Sequence, residues 1–148
     1  TRFSLAVSNN AGCSGDALAI GKQGERVDAI TRVFPFWLCP NYAQYVNAEE
    51  TMPFDQHWLL AAIAPRLIFV NTAEQDAWAD PESAFLSCAA ASEAYVRTGR
   101  PGLIAPDRKP CPGDFDGDGS IGFAMRAGCH FLSRADWQAA IRFWQGKA

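Results

Sequence analysis

The stretch "PFDQHWLLAAIAPRLIFVNTAEQDAWADPESAF", residues 53–85, decides the fold because three patterns follow one another in it. Residues 53–65 are predicted to form an apolar helix that ends at Pro65. Residues 66–72, "RLIFVNT", contain an unbroken apolar run, which is typical of a strand buried on both faces of a parallel sheet. After a polar loop, a second helix is predicted over residues 82–98. The stretch therefore predicts a helix–strand–helix unit of an α/β protein.

The same alternation continues on both sides of this unit. "FSLAVS", residues 3–8, and "SIGFAMRAG", residues 120–128, are predicted to be strands, and residues 135–145 have the apolar spacing of a helix. The Pro/Gly/Asp-rich residues 100–119 are predicted to form a surface loop. The order strand, helix, strand, helix, strand, helix predicts a mainly parallel sheet, with polar loops at the carboxyl ends of its strands, where α/β proteins place their chemistry.

Composition excludes several classes of protein. The chain has 148 residues, 49% of them hydrophobic, with five Trp and ten Phe, which suits one modest domain or part of a larger one. A net charge of −3 leaves no basic stripe for nucleic acid. The longest apolar run, "WLLAAIA", is far shorter than the roughly 18 residues of a membrane span. We expect a folded, soluble chain that binds neither nucleic acid nor membrane.

The cysteines do not predict a metal site. They form no Cys-x-x-Cys pair and have no histidine at a spacing that suits zinc, so neither a metal nor another cofactor is expected. Disulfides are possible in an exported protein, but five cysteines leave at least one thiol unpaired within this chain.

An acidic run resembles the start of a calcium loop. In "DFDGDGSIG", Asp114, Asp116 and Asp118 occupy positions one, three and five, and Gly119 occupies position six. Position twelve is Met125 instead of the bidentate Glu. An ordinary connection is favoured, and a calcium-dependent interaction module remains an alternative.

A glycine-rich turn follows the first strand and raises the question of a hydrolase nucleophile. Ser14 lies in Gly12-Cys13-Ser14-Gly15, but the nucleophile elbow needs glycine two residues before and two residues after the serine. Position 16 is Asp16, so a plain turn is the favoured interpretation.

An acid and a histidine follow consecutive predicted strands. Asp76 comes after residues 66–72, and His130 comes after residues 120–128, in the order that the second half of an α/β-hydrolase triad has. In such a triad the histidine takes the nucleophile's proton and the carboxylate fixes the imidazole tautomer. His57, at the start of an apolar helix, is predicted to be a packed structural histidine.

Four stretches carry a family resemblance: "SNNAGCSG", "RVFPFWLCPNYAQY", the block at residues 53–85, and "GSIGFAMRAGCHFLSRADW". Together they resemble the carboxyl-terminal half of bacterial glucuronoyl esterases, carbohydrate esterase family fifteen. The resemblance implies that residues 1–148 are the carboxyl-terminal part of an α/β-hydrolase three-layer sandwich. It also implies a secreted or periplasmic serine esterase that cleaves esters between (4-O-methyl-)glucuronic acid of xylan and lignin alcohols.

The resemblance further implies where the nucleophile lies. In the family it sits in a Gly-His-Ser-Arg-x-Gly-Lys elbow on the strand before "RFSLAVSNN", so we expect it upstream of Thr1. The amino-terminal half of the same domain is then the expected partner of this chain. Alone, residues 1–148 are expected to be inactive and, with an open sheet edge, to aggregate.

Individual positions match family site residues. His130 matches the catalytic histidine, and Asp76 matches the acid that some members use after the seventh strand. Other members have a Glu where this chain has Asn10. Trp78 matches an aromatic residue that contacts the uronic acid, and Glu25 falls where members have a carboxylate that binds sugar hydroxyls.

One family position has no counterpart, and one alternative stays open. The sugar-binding Gln of the family aligns with Val33, which leaves the fine specificity undetermined. A non-catalytic carbohydrate-binding fragment, with Trp78 as the sugar platform, is the alternative to an esterase.

Overall fold

A computed structural model describes residues 2–147, and its centre is a four-stranded sheet. The strands run in the order β1-β2-β4-β3; β1, β2 and β4 are parallel, and β3 is antiparallel to β4. The predicted mainly parallel sheet is therefore confirmed. Their bounds are Leu5–Asn9 for β1, Leu67–Ala73 for β2, Phe115–Asp116 for β3 and Ile121–Arg126 for β4.

Helices cover both faces of this sheet and give three layers. Helices α2 and α3 pack on one face, and α4 packs on the other. Helix α1 lies outside these layers, in a lobe that also holds two short 3-10 helices. The bounds are Val27–Val33 for α1, His57–Ala61 for α2, Pro81–Arg97 for α3, Arg134–Gln145 for α4, and Pro40–Tyr45 and Glu49–Thr51 for the 3-10 helices.

The alternation of side chains along the strands builds two apolar layers. On the α3 face, Val70 and Phe123 pack with Tyr95 of the helix. On the α4 face, the rings of Phe69 and Phe143 are stacked with centroids 4.9 Å apart. These layers hold the parallel strands in register, so that β2 and β4 end at the same edge of the sheet.

Two predictions about element bounds are wrong in part. The helix predicted over residues 53–65 covers only His57–Ala61, and residues 62–65 form a turn instead. Before the helix, the Asp55 carboxylate accepts hydrogen bonds from three backbone N–H groups and holds this part of the chain in a connection. The loop predicted over residues 100–119 contains β3, whose Phe115 packs 5.8 Å from Phe69.

Residues 13–54 form the lobe beside the sheet, with an apolar cluster of its own that includes Cys13, Val27, Ile30 and Tyr42. The cysteines Cys13 and Cys88 are buried, and Cys39, Cys111 and Cys129 are exposed; all five are free thiols. Between residues 2 and 147, every helix is too short or too polar to cross a membrane.

Candidate active site

The loops after β2 and β4 bring an acid and a histidine together. Asp76 lies three residues beyond β2, and His130 lies four residues beyond β4. The distance from His130 Nδ1 to Asp76 Oδ2 is 2.8 Å, and the side chain of Asp76 is 6% exposed while that of His130 is 66% exposed. Because the carboxylate occupies Nδ1, Nε2 is the ring nitrogen available for proton transfer with another group.

Backbone hydrogen bonds join the two loops. The N–H of Glu74 donates to the Arg126 carbonyl over 2.9 Å, and the N–H of Gln75 donates to the Gly128 carbonyl over 3.0 Å. The carbonyl of Asp76 in turn accepts from the N–H of Asp80 over 3.2 Å. The backbone that carries Asp76 and His130 is therefore fixed by hydrogen bonds between the two loops, next to the ends of β2 and β4.

Asn10, at the end of β1, lies against the histidine loop. It is 5% exposed, with a φ of +50°, and its Nδ2 donates to the Phe131 carbonyl over 3.3 Å. Its Oδ1 is buried and has no hydrogen-bond partner within residues 2–147. At the position where the resemblance places a Glu in other members, this chain thus has an amide that binds the loop backbone instead of the His130 ring.

The segment 22–25 packs against the loop that carries Trp78. The N–H of Glu25 donates to the Trp78 carbonyl over 2.8 Å, and Lys22 Nζ donates to the Ala79 carbonyl. Gly24 permits this approach, because its φ is +68° and a Cβ there would lie 2.4 Å from the Ala77 carbonyl oxygen. Glu25 and Trp78, singled out from the sequence, are therefore neighbours through their backbones.

Asp80 is a structural acid at the other end of this loop. Its carboxylate accepts from the hydroxyl and the N–H of Ser83 at the start of α3 and from the N–H of Gln23, and lies 4.0 Å from Lys22 Nζ. Burial raises the pKa of Asp80, but these hydrogen bonds and the lysine charge outweigh burial and hold the pKa below its usual value. Asp80 therefore fastens the lobe to α3 and does not contact His130.

Ser14 lies in the predicted turn, which the structure confirms. Its hydroxyl donates to the Tyr42 hydroxyl over 2.9 Å, and its φ is +62°. The buried Asp16 closes the turn by accepting from Ser8 Oγ over 2.7 Å and from the Gly12 N–H over 3.2 Å. Within residues 2–147, Ser14 forms no hydrogen bond with a histidine, which a nucleophilic serine would need.

The remaining sequence candidates lie outside this site. Arg108 forms ion pairs of 2.7 Å with Asp114 and 3.1 Å with Asp116, so its guanidinium already neutralises two carboxylates of the calcium-like run. No cluster of three or more His, Cys, Asp or Glu side chains suited to a metal occurs in the described part of the chain. His57 is half-buried at the start of α2.

Sequence reasoning missed the residues that hold the histidine loop. Arg126, at the end of β4, donates to the carbonyls of Cys129 and Phe131, on either side of His130. Asp136 accepts from this arginine and caps α4. The pattern Ser133-x-x-Asp136 is a readable helix-start signal, but nothing in the sequence connects it to Arg126.

Known proteins resemble this chain in sequence. A family model described as "Glucuronyl esterase, fungi" matches residues 1–99. The carbohydrate esterase MZ0003, from an unknown prokaryotic organism, is 40% identical over 143 residues, which are 97% of this chain and 33% of that protein. The chain thus spans about a third of the length of this curated relative.

Solved structures agree with these sequence matches. A promiscuous CE15 esterase from the marine bacterial metagenome superposes with a TM-score of 0.93 at 38% identity, over 99% of this chain and 36% of that one. A glucuronoyl esterase from Solibacter usitatus gives a TM-score of 0.89 at 36% identity, over 99% of this chain and 37% of that one. With the three-layer α/β-hydrolase fold and a family model that matches residues 1–99, this chain belongs to the glucuronoyl esterase family.

Proposed function

We propose that this chain supplies the histidine and the acid of a serine-type glucuronoyl esterase. The observation that carries the proposal is the 2.8 Å contact between His130 Nδ1 and the buried Asp76 carboxylate at the carboxyl edge of the sheet. In this role Asp76 holds the tautomer with the proton on Nδ1 and stabilises the imidazolium that forms. His130 Nε2 is then the general base.

The proposed reaction has two steps with one acyl-enzyme intermediate. A serine Oγ attacks the ester carbonyl carbon, and its proton passes to His130 Nε2. The imidazolium returns that proton to the departing alcohol oxygen, which leaves the uronic acid esterified to the serine. Water then attacks this ester with the same proton transfers, and the free acid leaves. The family resemblance implies an arginine beside the serine that stabilises the oxyanion.

The proposed substrate is an ester between (4-O-methyl-)glucuronic acid of xylan and a lignin alcohol. The family supports this, and so does a relative named 4-O-methyl-glucuronoyl methylesterase 1 from Phanerochaete chrysosporium, which is 32% identical over 93 residues. Trp78, 58% exposed, offers an indole face to the C–H surface of the sugar, and Glu25 offers a carboxylate to its hydroxyls. Such a polymeric substrate implies secretion, in keeping with the family resemblance.

We place the serine on a segment that precedes β1 in the same domain. Within residues 2–147, β1 pairs only with β2, so its other edge is free for a further strand. Val7 on β1 is exposed, and so are Trp137, Ile141 and Trp144 on α4, a helix that contacts β1. An apolar surface of this kind beside an open strand suits a further strand and helix of the same sheet.

Exposed Trp78 also supports a second candidate, a carbohydrate-binding unit without turnover.

The test of both candidates is hydrolysis of the benzyl ester of glucuronic acid by the protein that includes the preceding segment, together with labelling by a fluorophosphonate. We expect turnover and one labelled serine in the wild type, and the change His130→Ala to lower turnover by about 10⁴–10⁶-fold. The change His57→Ala is the matched control and leaves turnover intact. Binding of xylan oligomers without turnover or labelling would favour the second candidate.

A further inference from the structure

We propose that Arg126 is the positioning residue of His130, which it holds through the backbone carbonyls of the two neighbouring residues, Cys129 and Phe131. This inference rests on the proposed function, because positioning matters only if His130 is the general base. The contacts of Arg126 are observed independently of that function.

The guanidinium of Arg126 contacts the carbonyls of the histidine loop. Its Nη2 donates to the Cys129 carbonyl over 2.9 Å and to the Phe131 carbonyl over 2.6 Å, and its Nη1 donates to the Ala127 carbonyl over 3.1 Å. The carbonyls on both sides of His130 therefore converge on one planar group. Since that group belongs to the last residue of β4, it links the histidine loop directly to the sheet.

The other side of the guanidinium is fixed to α4. Arg126 Nε lies 3.0 Å and 2.9 Å from the two carboxylate oxygens of Asp136, which is 3% exposed. Asp136 also accepts from the backbone N–H and the hydroxyl of Ser133, each over 2.7 Å, in the capping box that starts α4. The ring of Phe131 covers the guanidinium, with its centroid 4.3 Å from Cζ. The side chain of Arg126 is thus fixed between β4 and α4, and from this position it binds the loop.

His130 needs such support because its own side chain is held by one residue, Asp76. Its side chain is 66% exposed, and the 2.8 Å contact with Asp76 is its side-chain hydrogen bond within the described residues. The loop from residue 127 to residue 132 has no regular secondary structure, and Gly128 adopts a φ of +99°. Without Arg126 the loop keeps the hydrogen bonds from the Gln75 N–H and from Asn10 Nδ2, but the Cys129 carbonyl loses its partner. The imidazole would then sample positions in which it points away from the acid, and only a small share of them would suit proton transfer.

Arginine is the residue type that these contacts require. It has five N–H donors in a planar fork, and here they reach one carboxylate and three carbonyls at once. Lysine has a single ammonium with three donors and cannot span these acceptors. Glutamine keeps hydrogen-bonding capacity but loses the charge that pairs with Asp136.

The experiment compares Arg126→Gln and Arg126→Lys in the protein that includes the preceding segment. Arg134→Gln is the matched control, because Arg134 is an exposed arginine in the first turn of α4 and its side chain makes no hydrogen bond or ion pair within residues 2–147. Two quantities are measured: kcat and KM on the benzyl ester of glucuronic acid, and the low-field proton NMR signal of His130 Nδ1–H. Circular dichroism melts report folding separately.

We expect Arg126→Gln to lower kcat by about 10- to 100-fold with KM within about twofold, because a displaced catalytic group affects the reacting step more than substrate binding. The low-field proton signal should broaden or disappear, while Arg134→Gln should match the wild type in both measurements. Arg126→Lys should recover part of kcat, since it restores the ion pair with Asp136. If Arg126→Gln does not fold, Arg126→Lys decides by the same two readouts, with an intermediate loss of kcat expected.

The proposal is overturned if the folded Arg126 variant keeps the low-field signal and a kcat equal to that of Arg134→Gln. It is also overturned if kcat falls only in proportion to the unfolded fraction in the melts. Failure of the proposed function has a different signature. The wild type would then show no ester turnover, while the low-field signal would still depend on Arg126.

Discussion

Replacing Gly24 by alanine tests whether the contact between residues 22–25 and residues 77–80 builds the sugar side of the site. The new Cβ would lie 2.4 Å from the Ala77 carbonyl oxygen and 2.5 Å from the Trp78 carbonyl oxygen. Both are backbone atoms, so no flexible side chain can move aside to relieve the overlap. The two segments must separate, and Trp78 and Glu25 must move apart with them.

The structure gives the expected size of this effect. Alanine at the Gly24 φ of +68° costs about 1–2 kcal/mol for left-handed backbone. Forcing an extra methyl into a filled space costs about 1–3 kcal/mol more. Gly21 provides the matched control, because its φ is +76° and a Cβ added there would meet nothing within 4 Å. Gly21→Ala should therefore cost only the backbone contribution.

The assay is urea unfolding together with KM on the benzyl ester of glucuronic acid, in the protein that includes the preceding segment. Gly24→Ala should lose about 2–5 kcal/mol of unfolding free energy, against about 1–2 kcal/mol for Gly21→Ala. It should also raise KM by about tenfold, which corresponds to about 1.4 kcal/mol of lost sugar binding. Equal losses of stability and an unchanged KM in the two variants would refute the reasoning.

Two further predictions concern the thiols and the open sheet edge. Burial raises the pKa of Cys13 to about 11 and that of Cys88 well above its usual value. Iodoacetamide at pH 8 should therefore modify the exposed thiols of Cys39 and Cys129 first. Mass spectrometry that finds Cys88 modified at the same rate in the folded protein would contradict the buried core. Residues 1–148 alone should self-associate through the free edge of β1, as light scattering would detect; a reversible melt of a clean monomer would count against the need for a preceding segment.

The long elements could be predicted from the sequence because their signals are local. The apolar run at residues 66–72 became β2, shifted by one residue, and the helix predicted over residues 82–98 became α3. Helix α1 was missed because its signal is not local. Its first N–H, on Val27, is satisfied by the carboxylate of Glu49, twenty-two residues later in the chain.

The candidate site could be predicted in part for the same reason. Asp76 and His130 were found because each follows a recognisable strand, and parallel strands end at the same edge. The hydrogen bonds of Arg126 to the histidine loop could not be predicted. They join β4 to the loop through backbone carbonyls and to α4 through the Asp136 carboxylate, and no sequence pattern marks these partners. The contacts of Asp80 with Gln23 and Lys22 were equally hidden, since they depend on how the lobe packs.

The turnover of Asp76→Asn tests the central claim most directly. Asparagine keeps the size of the side chain but favours the wrong imidazole tautomer, so kcat on the benzyl ester should fall by about 10⁴-fold with fold and sugar binding retained. Glu74→Gln, an exposed acid two residues earlier in the same loop, is the control and should stay within about twofold of the wild type. Asn10→Glu added to Asp76→Asn should restore part of the lost rate.

The comparison is made in the protein that includes the preceding segment, with the folded fraction of each variant checked by its melt. The account predicts that kcat collapses in Asp76→Asn and stays near that of the wild type in Glu74→Gln. A rate near that of the wild type in Asp76→Asn, or a collapse in Glu74→Gln, would contradict the pairing of Asp76 with His130 as the working acid and base.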